Sequence, residues 1–457
     1  MSHAAARPTG ADDDLRRQVM RKVAWRLSPF LGLLYFINYL DRTNISFAAP
    51  HGMNDALGFD KAAFGLASGL FFIGYLILEV PSNLALHRFG ARRWIARIMV
   101  SWGIVAAAMA FVPNAGTMYG LRFLLGIAEA GFFPGIILYL TFWFPQEMRA
   151  KAVGLFMVAV PLSSMIGSPL SAWLITSGHH LLFGLEGWRF MFLVEGLPAI
   201  LIGVVCWFFL TDRPRDAKWL SPEERSWLQA QMDAEHEATA QRHHVSVRES
   251  LTRGRVWALA FVYFGIVYGL YAVGFFLPTI VAGFQDTYGT EFSVIQQGLI
   301  VAIPFAFGAV AMVLWSRHGD RTGERVWHVA APAIVGGIAI PIALYLNSPF
   351  TAMVAVTICT MGIMAALPTF WPLPTVFLSG AAAAAGIALI NSIGNTAGFL
   401  GPYITGWLTD LTGSEKAGLW LVGVVMIAAG VVAVALRAAP ASHDGAPVEP
   451  RYVGEGA

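Results

Sequence analysis

Long apolar runs recur along the chain, separated by short polar connections. Twelve of them approach the roughly 20 residues that a helix needs to cross a ~30 Å hydrocarbon core. They fall at 27–50, 62–86, 94–112, 116–144, 152–175, 188–211, 255–283, 294–316, 326–346, 350–378, 382–411 and 417–437. Lipid offers the backbone no hydrogen-bond partners, so such runs must be helices or strands of a closed barrel, and their length excludes barrel strands of about ten residues. The pattern predicts an all-α membrane protein with twelve transmembrane helices, here called spans 1 to 12. Composition agrees: 56% of residues are hydrophobic and only 13% charged, against about 25% charged in a soluble domain.

Lys and Arg are unevenly placed between the spans. Arg16, Arg17, Arg21, Lys22 and Arg26 precede span 1, Arg88, Arg92, Arg93 and Arg97 follow span 2, and Arg317, Arg321 and Arg325 follow span 8. The opposite connections hold little beyond Lys61, Arg189 and Lys416. Positive charge favours the cytoplasm, which puts both termini inside a cell (inner) membrane and makes span 1 an uncleaved anchor. The expected order is a cytoplasmic arm at 1–26, a six-helix bundle at 27–211, a cytoplasmic linker at 212–254, a second bundle at 255–438 and a cytoplasmic tail at 439–457. In the linker, Ser221, Pro222 and Glu224 read as a helix start, while Trp219, Leu220, Trp227 and Leu228 could rest on the membrane interface.

A repeated signature supports two related halves. Arg88-Phe-Gly90-Ala-Arg92-Arg-Trp94 and Arg321-Thr-Gly323-Glu-Arg325-Val-Trp327 both fit R-x-G-x-R-x-W, each after the second span of its half. A duplicated six-helix unit leaves such a trace. The net charge of +2 says little about partners, and no nucleic-acid footprint is visible. Cys206 and Cys359 both lie in apolar runs, which argues against a disulfide or a cysteine zinc site. No nucleotide loop, catalytic triad or metal cluster is legible, so neither enzymatic activity nor a cofactor is expected.

The candidate chemistry is the charge placed inside the spans: Asp41 and Arg42 in span 1, Arg122 and Glu129 in span 4, and, less centrally, Glu79 and Glu195. A charge near the bilayer midplane costs roughly 2.5–3.5 kcal/mol on insertion scales, so such residues are seldom kept without use. Arg122 and Glu129 are seven residues apart, about two turns and 10 Å of rise on one helix face. Arginine presents a fork matched to a carboxylate, and an acid shielded from water can carry a proton at working pH. Arg42 and Arg122 are therefore assigned to substrate carboxylate binding, Asp41 and Glu129 to proton carriage. The alternative is that Asp41–Arg42 and Arg122–Glu129 are internal ion pairs that only fix helix packing. Glu79 and Glu195 read as structural acids. In the second half, Phe264, Tyr268, Tyr271 and Phe275 form one stripe on span 7. Trp371 stands among Pro368, Pro372 and Pro374, where span 10 should bend, and Asn391 and Asn395 share a face of span 11.

Over nearly its full length the chain resembles the major facilitator superfamily. The two basic loops resemble its cytoplasmic signature, which implies a conformational latch formed by Arg88, Gly90, Arg92, Asp320, Arg321, Gly323 and Arg325, with His87 standing where the first copy would have its acid. Asn38-Tyr-Leu-Asp-Arg-Thr-Asn-Ile-Ser46, Arg122-Phe-Leu-Leu-Gly-Ile-Ala-Glu-Ala-Gly131, Tyr139-Leu-Thr-Phe-Trp-Phe-Pro145 and Gly386-Ile-Ala-Leu-Ile-Asn-Ser-Ile-Gly-Asn395 are similar to the anion:cation symporter branch. The resemblance implies proton-coupled uptake of a small organic anion by alternating access, in a protein that works as a monomer in the lipid bilayer. Asn38, Tyr39, Arg42, Arg122, Tyr268, Trp371 and Asn391 are then the expected substrate contacts. Efflux by a proton-coupled antiporter, or a membrane sensor without transport, are the alternatives.

Overall fold

The computed structural model describes residues 10–240, 254–377 and 380–438. The tail expected at 439–457 and the start of the arm lie outside the described residues. All the described secondary structure is helical. Among the described residues, ten helices are long and apolar enough to cross a membrane. They are span 2 (Lys61–Phe89), span 3 (Ala91–Phe111), span 4 (Ala115–Thr141), span 5 (Gln146–Ser177), span 6 (Gly187–Phe209), span 7 (Gly254–Ala282), span 8 (Val294–Thr322), span 9 (Val326–Ala343), span 10 (Pro349–Phe370) and span 12 (Glu415–Arg437). Span 1 (Gly10–Thr43) and span 11 (Gly380–Thr412) are as long, and their apolar character is diluted by residues such as Asn38, Asp41, Arg42, Asn391 and Asn395. Span 1 starts well before residue 27, so most of the expected arm and the first span form one continuous helix.

Two spans break where their sequences demand it. Span 4 stops at Glu129 and resumes at Phe132. Gly131 between them has φ +82°, and a Cβ there would strike the Ser82 side chain, so only glycine fits the turn. Span 10 ends at Phe370, and the helix Pro372–Phe377 follows Trp371. Pro372 and Pro374 lack the N–H groups that would continue the ladder.

Helix contacts reveal two six-helix bundles related by a pseudo-twofold. In the first half span 1 packs on 5, span 2 on 4 and span 3 on 6; in the second, span 7 packs on 11, span 8 on 10 and span 9 on 12. Each pair maps onto its counterpart by adding six. The halves meet through spans 2 and 11 and through spans 5 and 8, two contacts that the same operation exchanges. Large apolar side chains such as Leu201, Leu314 and Val431 stay exposed on the outer surface, as lipid requires.

The linker is docked, not draped on lipid. Ser221 and Glu224 form a reciprocal cap: the Ser221 N–H donates to Glu224 Oε2 at 2.9 Å, and the Glu224 N–H donates to Ser221 Oγ at 3.2 Å, starting the helix Pro222–Ala240. Trp219 stacks on Trp143 at 5.5 Å, and Leu220, Leu228 and Met232 are buried. Protein covers these apolar groups, where the sequence offered the membrane interface. Lys22 and Arg149, both in the first half, hold Glu224 and Glu235 at 2.6 Å.

Burial opposes ionisation of Glu224, but the Lys22 ammonium and the Ser221 amide outweigh it and hold the carboxyl below the usual glutamate range. A depressed folded value stabilises the folded state fully above about pH 4.3, the ordinary glutamate value, and that contribution disappears as pH falls through the lower folded value. Thermal unfolding should therefore show wild type more stable than Glu224→Gln at pH 7, with the gap closing below about pH 4.

Candidate functional site

Tyr35, Asn38, Tyr39 and Arg42 recur at helical spacing on span 1 and turn that face toward the seam between the halves. A cavity of about 50 Å³ lies there, lined by Tyr35, Tyr39 and Arg42 of span 1, Phe72 and Tyr75 of span 2, Tyr263 and Tyr271 of span 7 and Asn391 and Asn395 of span 11. Phe133, Met157 and Asn391 also line a vestibule of about 440 Å³, whose other walls include Glu79, Val80, Ile137 and Trp371. The seam cavity thus adjoins a wider chamber toward the end of span 2 that carries the basic signature.

Arg42 is the centre of the hydrogen bonding. Its Nε donates to Glu129 Oε1 at 3.0 Å, Nη2 donates to the same oxygen and to Asn38 Oδ1 at 3.3 Å, and Nη1 donates to the Tyr271 hydroxyl at 3.0 Å. The guanidinium also lies 5.0 Å from the Phe71 ring and 5.6 Å from that of Tyr75. Glu129 is fully buried, and its Oε2 has no partner. The ion pair therefore runs between spans 1 and 4.

The other two central charges are sealed from the cavity. Arg122 is 0% exposed; Nε donates to the Ala67 carbonyl and Nη2 to the Arg42 carbonyl, both at 3.3 Å, and Nη1 lacks a partner. It ties the backbones of spans 1 and 2 to span 4. Asp41, also 0% exposed, accepts the Trp102 Nε1–H at 2.9 Å from span 3 and leaves Oδ1 free. Neither pairing within one span, Asp41 with Arg42 or Arg122 with Glu129, occurs among the described ion pairs.

Of the remaining expected contacts, Tyr39 and Asn391 line the cavity, Asn38 braces Arg42, and Trp371 lines the vestibule with its ring 4.8 Å from that of Tyr263. Tyr268 is buried outside both spaces, its hydroxyl unpartnered. Tyr35, Tyr75 and Tyr263 were not singled out from the sequence. Their signal is a hydroxyl on an otherwise apolar helix, at a spacing that puts it on the face of a known polar residue. Glu79, read as structural, accepts Asn391 Nδ2–H at 3.0 Å and so bridges spans 2 and 11 across the seam.

The signature turns differ in their acid. In the second, Arg325 meets Asp320 at 3.0 Å beside Gly323, whose φ is +68°. In the first, Asp212 from beyond span 6 takes the role that His87 cannot: it accepts the Arg92 N–H at 2.8 Å and faces Gly90, φ +88°. Arg88 lies 5.6 Å from the Phe89 ring, and Arg321 is exposed.

The opposite end of the seam is held shut. Asp410 of span 11 accepts the N–H groups of Ala62 at 2.6 Å and Lys61 at 3.3 Å, capping the start of span 2, and His51 Nε2 meets Gln297 of span 8 at 2.9 Å. No group of three His, Cys, Asp or Glu among the described residues could hold a metal.

The sequence profile described as Major Facilitator Superfamily matches residues 31–402. A protein of Agrobacterium vitis named "Putative tartrate transporter" is 50% identical over 440 residues, 96% of this chain and 99% of the relative. A "Quinolone resistance transporter" of Acinetobacter baumannii is 39% identical over 414 residues, 91% of this chain and 94% of the relative. The crystal structure of a bacterial homologue of the human lysosomal transporter Spinster, inward-facing and unoccupied, superposes with a TM-score of 0.67 at 18% identity, covering 92% of this chain and 96% of that one. That last likeness is one of fold.

Proposed function

The chain belongs to the major facilitator superfamily, and on that premise we propose that it is a secondary transporter taking up a small organic carboxylate together with protons. The observation that carries this reading is Arg42, a guanidinium at the wall of the seam cavity whose carboxylate partner, Glu129, comes from another helix. Ionised Glu129 occupies the fork that a substrate carboxylate needs. Protonated Glu129 gives up that claim, so a proton and an anion load together. Tyr39, Tyr271 and Asn391 supply hydroxyl and amide groups for the substrate body, and the tartrate named in the Agrobacterium vitis relative is a hydroxylated carboxylate of that kind.

In this reading residues 27–211 and 255–438 rock about the site, as repeats of such carriers do. Lys and Arg placement puts the linker and the basic turns in the cytoplasm, so the open vestibule faces inward and Asp410 and His51 close the outer end. Asp41 is a second proton carrier, screened by Trp102 from the cavity. The carrier works as a monomer in the inner membrane.

Proteoliposomes with an inward proton gradient should accumulate labelled tartrate, and a protonophore should abolish the accumulation. Flux indifferent to the gradient would refute coupling. Export is the second reading, favoured by the apolar flank of the vestibule at Val80, Ile137 and Trp371, which suits a flat aromatic body. Gradient-driven extrusion with no tartrate entry would select it.

A further inference from the structure

A second large cavity, about 570 Å³, lies on the linker side of the molecule, remote from the seam. Three basic side chains reach it from separate elements: Arg26 of span 1, Arg92 at the start of span 3 and Lys218 of the linker. Arg26 has neither a hydrogen bond nor an ion pair among the described residues. It is held instead by rings, its guanidinium 4.4 Å from Phe209 and 5.0 Å from Trp219. The Arg92 side chain comes no closer than 4.0 Å to Asp212, whose Oδ1 is engaged by the Arg92 backbone, and its Nε is unpartnered. Lys218 is exposed and unpaired among the described residues.

A guanidinium fixed between rings and lacking an acid is a preorganised anion receptor, because its geometry is set before the ligand arrives. Two carboxylates, Asp212 and Asp216, share the wall. Three cations face two anions in the wall, and Arg215 outside it meets Asp216 at 3.9 Å, so the site keeps a positive surplus suited to a phosphodiester, and the carboxylates can accept from neighbouring hydroxyls. The surroundings say where that phosphodiester comes from. Phe208 in the wall is 80% exposed, and Trp25, next to Arg26, is 76% exposed. Large bare aromatics at span ends mark the headgroup level of a bilayer.

We propose that Arg26, Arg92 and Lys218 bind the phosphate of an anionic phospholipid from the adjoining leaflet, with its glycerol hydroxyls toward Asp212 and Asp216. The bound lipid would join the linker to spans 1, 3 and 6. This site touches none of the seam residues, although it shares Arg92 and Asp212 with the first signature turn.

The test is native mass spectrometry of the full, delipidated chain titrated with phosphatidylglycerol, phosphatidylethanolamine, phosphatidylcholine or inorganic phosphate. One phosphatidylglycerol per chain should be retained in preference to both neutral lipids. Lys218→Gln, at an exposed position that cannot disturb packing, should weaken it about fivefold, and Arg26→Gln combined with Lys218→Gln about 25-fold. Arg17→Gln, an exposed change beside Asp14 and away from the cavity, should leave binding as it was. Equal retention of a neutral lipid, or no loss in Lys218→Gln, overturns the proposal. Displacement of the lipid by millimolar inorganic phosphate also overturns it, in favour of a soluble anion.

Discussion

Arg42→Ala should abolish carboxylate uptake and remove the thermal stabilisation that a bound anion confers. Arg42 is the one cation among the residues lining the seam cavity. A hydrogen bond to a charged group contributes about 1.5–3 kcal/mol, so losing a single contact weakens binding by about tenfold or more. The same change strips Glu129 of the partner that engages its Oε1. Removing one member of a buried pair costs about 3–5 kcal/mol. The protein should therefore also unfold at a lower temperature. Arg42→Lys keeps the charge but not the fork that reaches Glu129, Asn38 and Tyr271 together, and its affinity should fall between the two. A binding isotherm and counterflow exchange read the effect. Undiminished uptake by Arg42→Ala would place the anion somewhere else.

Glu129→Gln should separate exchange from accumulation. A glutamine still accepts from Arg42 through its carbonyl oxygen, yet it can neither release nor take a proton. The anion then competes at every pH with a neutral amide for the Arg42 guanidinium instead of with a carboxylate. Counterflow should persist near the wild-type rate, while accumulation of a monocarboxylate driven by one unit of pH difference should drop from about tenfold to none, since one proton moved across one unit is worth about 1.4 kcal/mol. If exchange and accumulation decline in parallel, Glu129 is a scaffold residue and the coupling group must be sought elsewhere.

Hydropathy made the helices legible because membrane crossing is a local property: each run must satisfy lipid by itself. The break at Trp371 was legible for a similar reason, since proline acts on its own helix. Partnership between helices was not. Asp41 and Arg42 are adjacent, about 100° apart on the helix, so one meets Trp102 of span 3 and the other the seam. Periodicity gives a face and leaves its neighbour unknown. Arg122 and Glu129 do share a face, but Glu129 ends its helix and reaches span 1, while Arg122 finds backbone carbonyls nearer. Asp212 lies far along the chain from the turn it serves, and nothing in the R-x-G-x-R-x-W pattern points to it. The linker tryptophan misled for the opposite reason: an amphipathic ring suits a lipid surface and a protein groove equally well, and here Trp143 supplied the groove.

The buried charges of spans 1 and 4, Arg42, Arg122, Asp41 and Glu129, add up to zero when both acids are ionised. An incoming monoanion upsets that sum by one, and a dianion by two, deep in a low-dielectric interior that penalises any surplus. Under the symport proposed above, valence would set stoichiometry: a monocarboxylate would travel with a single hydrogen ion on Glu129, and a dicarboxylate would recruit Asp41 as well, so neither cargo would carry net current across the membrane.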